Sequence, residues 1–199
     1  INAVNPPEPG QPQKKLLMNS FPVMGLTTTY SADSFITGSA AAVTALATGY
    51  KTDNGMLGLS PDKTLLYPTI AEIAKQHGYK VGIVTTMSID HATPAGFYAH
   101  QSGRGDYYDI AVQLPTSGMD YFAGSIPAGR KGPNEGDPNP IDLAREAGYT
   151  VVESREDLNA LPSDAGKVWA MEEVRSEIDL EGEMPLVAFT RKGVELLDN

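Results

Sequence analysis

The stretch "PTIAEIAKQHGYKVGIVTT", residues 68–86, sets a helix directly against a strand. Ile70, Ile73, Ala74 and His77 fall three and four residues apart, on one helical face. Pro68 stands where a first turn tolerates a missing N–H, and Gly78 stands where helices end. "YKVGIVTT" (79–86) then runs apolar without strict alternation, as strands do when a parallel sheet is covered on both faces. The pattern predicts a helix over 68–78 and a buried strand over 79–86.

The same alternation continues outward. "DYYDIAVQL" (106–114) reads as a helix, "MDYFAG" (119–124) as a strand and "IDLAREAG" (141–148) as a helix closed by glycine. "YTVVE" (149–153) and "KVWAM" (167–171) read as strands separated by a short capped helix, "SREDLNAL" (154–161). "MPLVAFTRKGVELLDN" (184–199) reads as a closing helix interrupted or weakened at Gly193. Toward the start, the β-branched "VMGLTTTY" (23–30) after Pro22 reads as a strand. Alternating elements of this kind predict an α/β fold: a mostly parallel sheet with helices on both faces, an α/β/α sandwich. Sites in such folds gather at the carboxyl ends of strands. Residues 1–14, rich in Pro, Asn and Gln, read as an irregular segment; residues 15–199 read as a partial α/β domain, with 124–140 a surface loop.

Composition narrows the function. The 199 residues, 41% hydrophobic and 20% charged, suffice for one globular domain with a core. No apolar run approaches the roughly 20 residues of a membrane span. The net charge of −10 repels nucleic acids and anionic membranes, so neither is an expected partner. There is no cysteine, which excludes disulfides and Cys-based zinc sites. An anionic substrate would need local cations to overcome the field, and a bound metal is the obvious means.

Two stretches carry chemistry. In "ITGSAAAVTALATGYKTDNG" (36–55), Ser39 heads an alanine-rich helix that stops at Thr48-Gly49. Ser39 reads as the helix N-cap, where unpartnered N–H groups suit an anion. "TGYKT" fails as a phosphate-binding P-loop, "TDNG" fails the calcium-loop spacing, and Thr37 and Ala41 replace the glycines of a hydrolase nucleophile elbow. "VGIVTTMSIDHATPAGFYAHQSGRGD" (81–106) leaves the end of a strand and delivers Asp90, His91, Thr93 and Arg104 within one span of fifteen residues. Singly, these read as a turn aspartate, a solvated histidine, an N-cap before Pro94 and an arginine at a helix end. His77 and His100 read as packing or surface histidines.

Together with Ser39 they form a larger pattern. "SAAAVTALATGYKTDNGMLGLSPD" followed by "HATPAGFYAHQSGR" resembles the alkaline phosphatases in number, order and spacing of residues, from about Phe35 to Arg104. Agreement is weaker at "YSAD" and "MDYFAGS". The resemblance implies hydrolysis of phosphate monoesters, with Ser39 as the nucleophile that becomes a transient phosphoserine and Arg104 gripping two phosphoryl oxygens. It also implies Zn²⁺ and Mg²⁺ as cofactors in the intact enzyme. Thr93 would be a hydroxyl ligand of magnesium, His91 a weaker or water-mediated one, and Ser39 would meet zinc as its alkoxide. Export to the periplasm or outside the cell, and a homodimer, are implied as well. The chemistry is coherent: a serine hydroxyl needs a base or a metal to activate it, and a planar guanidinium clamps two phosphoryl oxygens.

The match has gaps. Gly38 stands where the family usually has an aspartate that orients the arginine, which implies a looser Arg104 and weaker phosphate retention. The family's D-G-x-G segment is missing, and no histidine follows Arg104, so the remaining zinc ligands are absent from these residues. The chain opens on Ile1 without a signal-peptide pattern and reads as the middle of an alkaline phosphatase cut on both sides, inactive alone. Two rivals remain: a diester, phosphonate or sulfate ester hydrolase on the same scaffold, or a shortened non-catalytic relative that binds phosphate or a partner.

Overall fold

Among the described residues four strands, all parallel, build the sheet: β1 (Gly82–Ser88), β2 (Tyr121–Ser125), β3 (Thr150–Val152) and β4 (Val168–Glu172), in the order β1-β2-β4-β3. Around them lie α1 (Ser39–Thr48), α2 (Ile70–Gln76), α3 (Ala92–Ala95), α4 (Tyr107–Ala111), α5 (Pro140–Glu146), α6 (Arg155–Ala160) and α7 (Leu186–Leu197). This is a computed structural model describing Pro9, residues 16–172 and residues 186–198. The expected irregular segment 1–14 lies outside the described residues except for Pro9. Among the described residues no helix is long and apolar enough to cross a membrane.

Strand periodicity sorts the core into two layers, because successive side chains of a strand point to opposite faces. Phe122, Trp169 and Met171 face one way and pack with Ala40 and Val43 of α1, Ala71 of α2, Ala95 of α3 and Ala144 of α5. Tyr121, Ala123, Val168 and Ala170 face the other way and meet Leu158 of α6 and Phe189 and Leu196 of α7. Helices therefore cover both faces, as the alternation of elements predicts. In register, Tyr121 sits between Gly82 and Val168, and Phe122 between Ile83 and Trp169. The register of β1 against β2 shifts between Val84 and Ser88, and the strand pairs again at its last residue, Ser88 with Ser125. Such irregularities re-aim the chain beside sites. Asp90 and His91 follow immediately.

Four local expectations differ from the structure. Residues 23–30 form no strand and are exposed throughout. β-branched residues favour a pleated surface only where a neighbouring strand offers one, and no such strand lies beside this segment among the described residues. Helix α2 begins at Ile70 rather than Pro68, because Thr69 closes a capping box with Glu72: Thr69 Oγ1 accepts from the Glu72 N–H at 3.1 Å, and Glu72 Oε2 from the Thr69 N–H at 2.7 Å. Helix α7 runs unbroken through Gly193. A Cβ there would lie 2.8 Å from the ring of Tyr121, so the glycine permits close approach to the sheet. Residues 124–140 start buried, with Gly124 and Ser125 inside β2, and first reach the surface at Ala128.

Candidate active site

Ser39 is the first residue inside α1, and Gly38 is the N-cap, which corrects the reading of Ser39 as the cap. The Gly38 carbonyl accepts the first helical bond, from the Ala42 N–H at 3.0 Å. Capping comes from elsewhere in the chain: Asn54 Oδ1 accepts the Gly38 N–H at 2.6 Å, and Asn54 Nδ2 donates to the Ile36 carbonyl at 2.9 Å. Asp33 steadies this clamp, its Oδ1 accepting from the Asn54 N–H at 2.9 Å and from Ser31 Oγ at 2.8 Å. The Asn54 N–H, and then the Ser31 hydroxyl, hold the Asp33 carboxyl below its ordinary range. At this position the Ser39 hydroxyl is not spent on capping, and it is exposed. The N–H groups of its turn have no carbonyl one turn earlier. The helix ends where the sequence places its end, with Gly49 in the left-handed region (φ 79°) donating to the Ala45 carbonyl.

Arg104 reaches Ser39 across 65 residues of sequence, Nη1 donating to Oγ at 2.5 Å. Its backbone is pinned by the chain that leaves α1. The Arg104 N–H donates to the Gly55 carbonyl at 2.7 Å, and Leu57 and Gln101 exchange antiparallel bonds of 2.8 and 2.9 Å. The "TDNG" segment, which fails as a calcium loop, thus holds both partners: Asn54 the approach to Ser39, Gly55 the loop of Arg104.

His91 is half-buried, its Nε2 lying 3.2 Å from Arg104 Nη2. Guanidinium has no acceptor, so His91 accepts here through a neutral ring. Burial, then the Arg104 charge, lowers its pKa below the ordinary value, against an opposing pull from Asp90. His91 is also the N-cap of α3, its N–H donating to Ser88 at the end of β1 and its carbonyl accepting from Ala95. That displaces Thr93 from the cap position expected for it: Thr93 is the second residue of α3, exposed, with no side-chain hydrogen bond among the described residues. Asp90, read as a turn residue, is fully buried. Its Oδ2 accepts the Gly129 N–H at 2.7 Å, and its Oδ1 has no hydrogen-bond partner among the described residues.

The structure therefore brings together Ser39, Arg104 and His91, with Thr93 on the short helix that His91 opens. A hydroxyl held under a guanidinium at a helix N-terminus can receive an anion and keep a nucleophile beside it. Metal chemistry needs more donors. Among the described residues no three His, Asp or Glu side chains gather to hold an ion, so Thr93 and His91 do not compose a metal site by themselves. Asn54 and Asp33 were missed from sequence. Both lie in polar turns, and only their distance from Ser39 in the fold reveals them.

The family model described as alkaline phosphatase matches residues 6–130. Streptomycin-6-phosphate phosphatase of Streptomyces griseus is 34% identical over 177 residues, covering 73% of this chain and 38% of that protein. Among solved structures, the cold-active alkaline phosphatase of the psychrophile Shewanella sp. superimposes with a TM-score of 0.80 at 28% identity, covering 96% of this chain and 47% of the other. A variant alkaline phosphatase of the Antarctic bacterium TAB5 with Mg bound in its M3 site gives 0.76 at 27% identity, covering 88% and 51%. The chain thus spans about half or less of these proteins.

Proposed function

The chain belongs to the alkaline phosphatase family, and on that premise we propose that it carries the nucleophile and the phosphoryl clamp of a phosphate monoesterase. In this reading the ester phosphorus is attacked by Ser39 Oγ. The Oγ–P bond forms as the ester P–O bond breaks, and the alcohol leaves with a proton. Water then cleaves the phosphoserine, returning serine and inorganic phosphate. Arg104 holds two phosphoryl oxygens through the transfer, where charge spreads over the equatorial oxygens and positioning matters most. The observation that supports the reading is the 2.5 Å bond between Arg104 Nη1 and Ser39 Oγ, which joins a guanidinium and a hydroxyl at one helix N-terminus.

Mg²⁺ and Zn²⁺ are part of the proposal, the first supported by a neighbour with bound Mg and the second by family membership alone. The described residues do not complete either site, so no step here is routed through a metal. Their incompleteness favours a second reading, a non-catalytic phosphate binder, for this chain taken alone. A homodimer and an exported location are proposed from family membership.

The test is titration of the chain with inorganic phosphate, followed by backbone amide NMR. Shifts are expected to concentrate at Ser39, Ala40 and Arg104. Arg104→Ala is expected to weaken binding at least tenfold, the weight of a charge-assisted contact. Undiminished binding by Arg104→Ala would overturn the assignment.

A further inference from the structure

Arg104 has no carboxylate partner among the described residues. Gly38, beside the nucleophile, has no side chain to offer one. The guanidinium is nevertheless held at two different nitrogens, by Ser39 at 2.5 Å and by His91 at 3.2 Å. We propose that His91 is the positioning residue of Arg104, its Nε2 lone pair serving where a carboxylate acceptor is missing. The inference rests on the reading of Arg104 as the phosphoryl clamp.

Three features support it. His91 is anchored to the scaffold, its N–H on the Ser88 carbonyl at 2.9 Å and its own carbonyl starting α3, so its ring relays the position of the β1 end to Arg104. Two contacts on separate nitrogens fix the plane of a guanidinium, whereas one would leave it free to swing. An uncharged acceptor also orients the guanidinium without neutralising it, which leaves the full positive charge for a phosphate dianion.

The contact dictates the tautomer of the ring. Arg104 can only donate, so Nε2 carries no proton and Nδ1 does. Among the described residues His91 Nδ1 is buried without a hydrogen-bond partner, so no hydrogen bond on that side selects a tautomer. Arg104 is what selects it. Free imidazole side chains favour the other tautomer, with the proton on Nε2, so the consequence can be observed directly.

The experiment uses the full chain with a chelator present, so that metal ligation by His91 plays no part. Nitrogen-15 spectra of the histidine rings, recorded with the imidazole neutral, are expected to show His91 protonated at Nδ1. In Arg104→Ala the same ring is expected to shift toward the Nε2–H form. In parallel, inorganic phosphate affinity is measured for His91→Leu, which removes the acceptor, and His91→Gln, whose Oε1 restores one at similar reach. His91→Leu is expected to bind about tenfold more weakly and His91→Gln to recover most of the loss. An unchanged tautomer in Arg104→Ala, or equal affinities for the Leu and Gln variants, would overturn the proposal. Undiminished phosphate binding by Arg104→Ala would sink the clamp reading instead, and the ring spectra would still decide whether His91 holds Arg104.

Discussion

Ser39 owes its availability to residues that do no chemistry. Because Asn54 takes over the Gly38 N–H, the serine enters the helix one position late with its hydroxyl pointed at Arg104 rather than at its own backbone. Replacing Asn54 with alanine removes an acceptor for Gly38 and a donor to Ile36. At this exposed site the expected loss is about 1 kcal/mol by chemical denaturation, accompanied by weaker phosphate binding as the first turn loosens. A gain in affinity would contradict the clamp. Gly38→Asp is expected to act in the opposite direction. A Cβ at Gly38 meets only Asn54, at 3.4 Å or beyond, and aspartate is a better N-cap than glycine by a few tenths of a kcal/mol. If the new carboxylate takes hold of Arg104, the phosphate affinity lost on His91→Leu should shrink in this background, which a double-mutant cycle measures.

At the scale of elements, α2 is fastened to the loop that leads to Arg104 by an ion pair. His100 Nε2 lies 2.9 Å from Glu72 Oε1, and its Nδ1 lies 2.9 Å from the Gly58 carbonyl, so the histidine read as packing or surface is a part-buried tie. The hydrogen bond to Glu72 raises the His100 pKa above 6.5, against burial and with help from the Gly58 carbonyl. A histidine raised in the folded state stabilises fully below 6.5, and that contribution fades as pH climbs through the raised value. For Glu72, burial works upward, but the bonds from His100 and Thr69 together hold it below 4.5, so its contribution fades as pH falls through that lowered value. The tie is therefore strongest between about 4.5 and 6.5 and weakens on the alkaline side. Denaturation across pH is expected to show a falling alkaline limb that His100→Gln flattens; an unchanged limb would remove the tie from the account. Helix α7 offers a second check. Gly193→Ala improves helix propensity by about 1 kcal/mol but sets a methyl against Tyr121, which is fully buried and bonded to the Phe189 carbonyl at 2.9 Å. Overpacking costs about 1–3 kcal/mol, so a net loss of about 1 kcal/mol and a lower melting temperature are expected.

For the whole molecule, the two-sided core contrasts with the stretch that precedes α1. Leu17, Met24, Leu26 and Phe35 are 77, 90, 98 and 95% exposed, next to a helix that itself exposes Leu46. Large exposed apolar side chains in such number attract hydrophobic dyes and promote association. The chain is expected to enhance the fluorescence of an anilinonaphthalene dye while its far-ultraviolet circular dichroism stays native. The substitutions Leu26→Ser and Phe35→Ser are expected to reduce that signal without loss of stability. Dye binding unaffected by both would place the apolar surface elsewhere.

The sequence by itself determined the alternation of helix and strand from residue 68 onward, the end of α1 at Gly49, and the pairing of Ser39 with Arg104 as candidates. Periodicity, caps and glycine punctuation are local signals, readable wherever one element's own residues fix its conformation. The pairing came from a pattern of residues shared with a family rather than from local physics. Tertiary structure decided what depends on partners remote in the chain. Residues 23–30 have the composition of a strand and, among the described residues, no neighbour to pair with. Gly193 looks like a break until Tyr121 is seen to need the space. Asn54 and Asp33 carry no mark in the sequence, and His91 reads as a solvated histidine, until the fold sets the first two under the approach to Ser39 and the third against the guanidinium. A hydrogen bond forms between groups the fold brings together, and the chain's order alone does not say which those are.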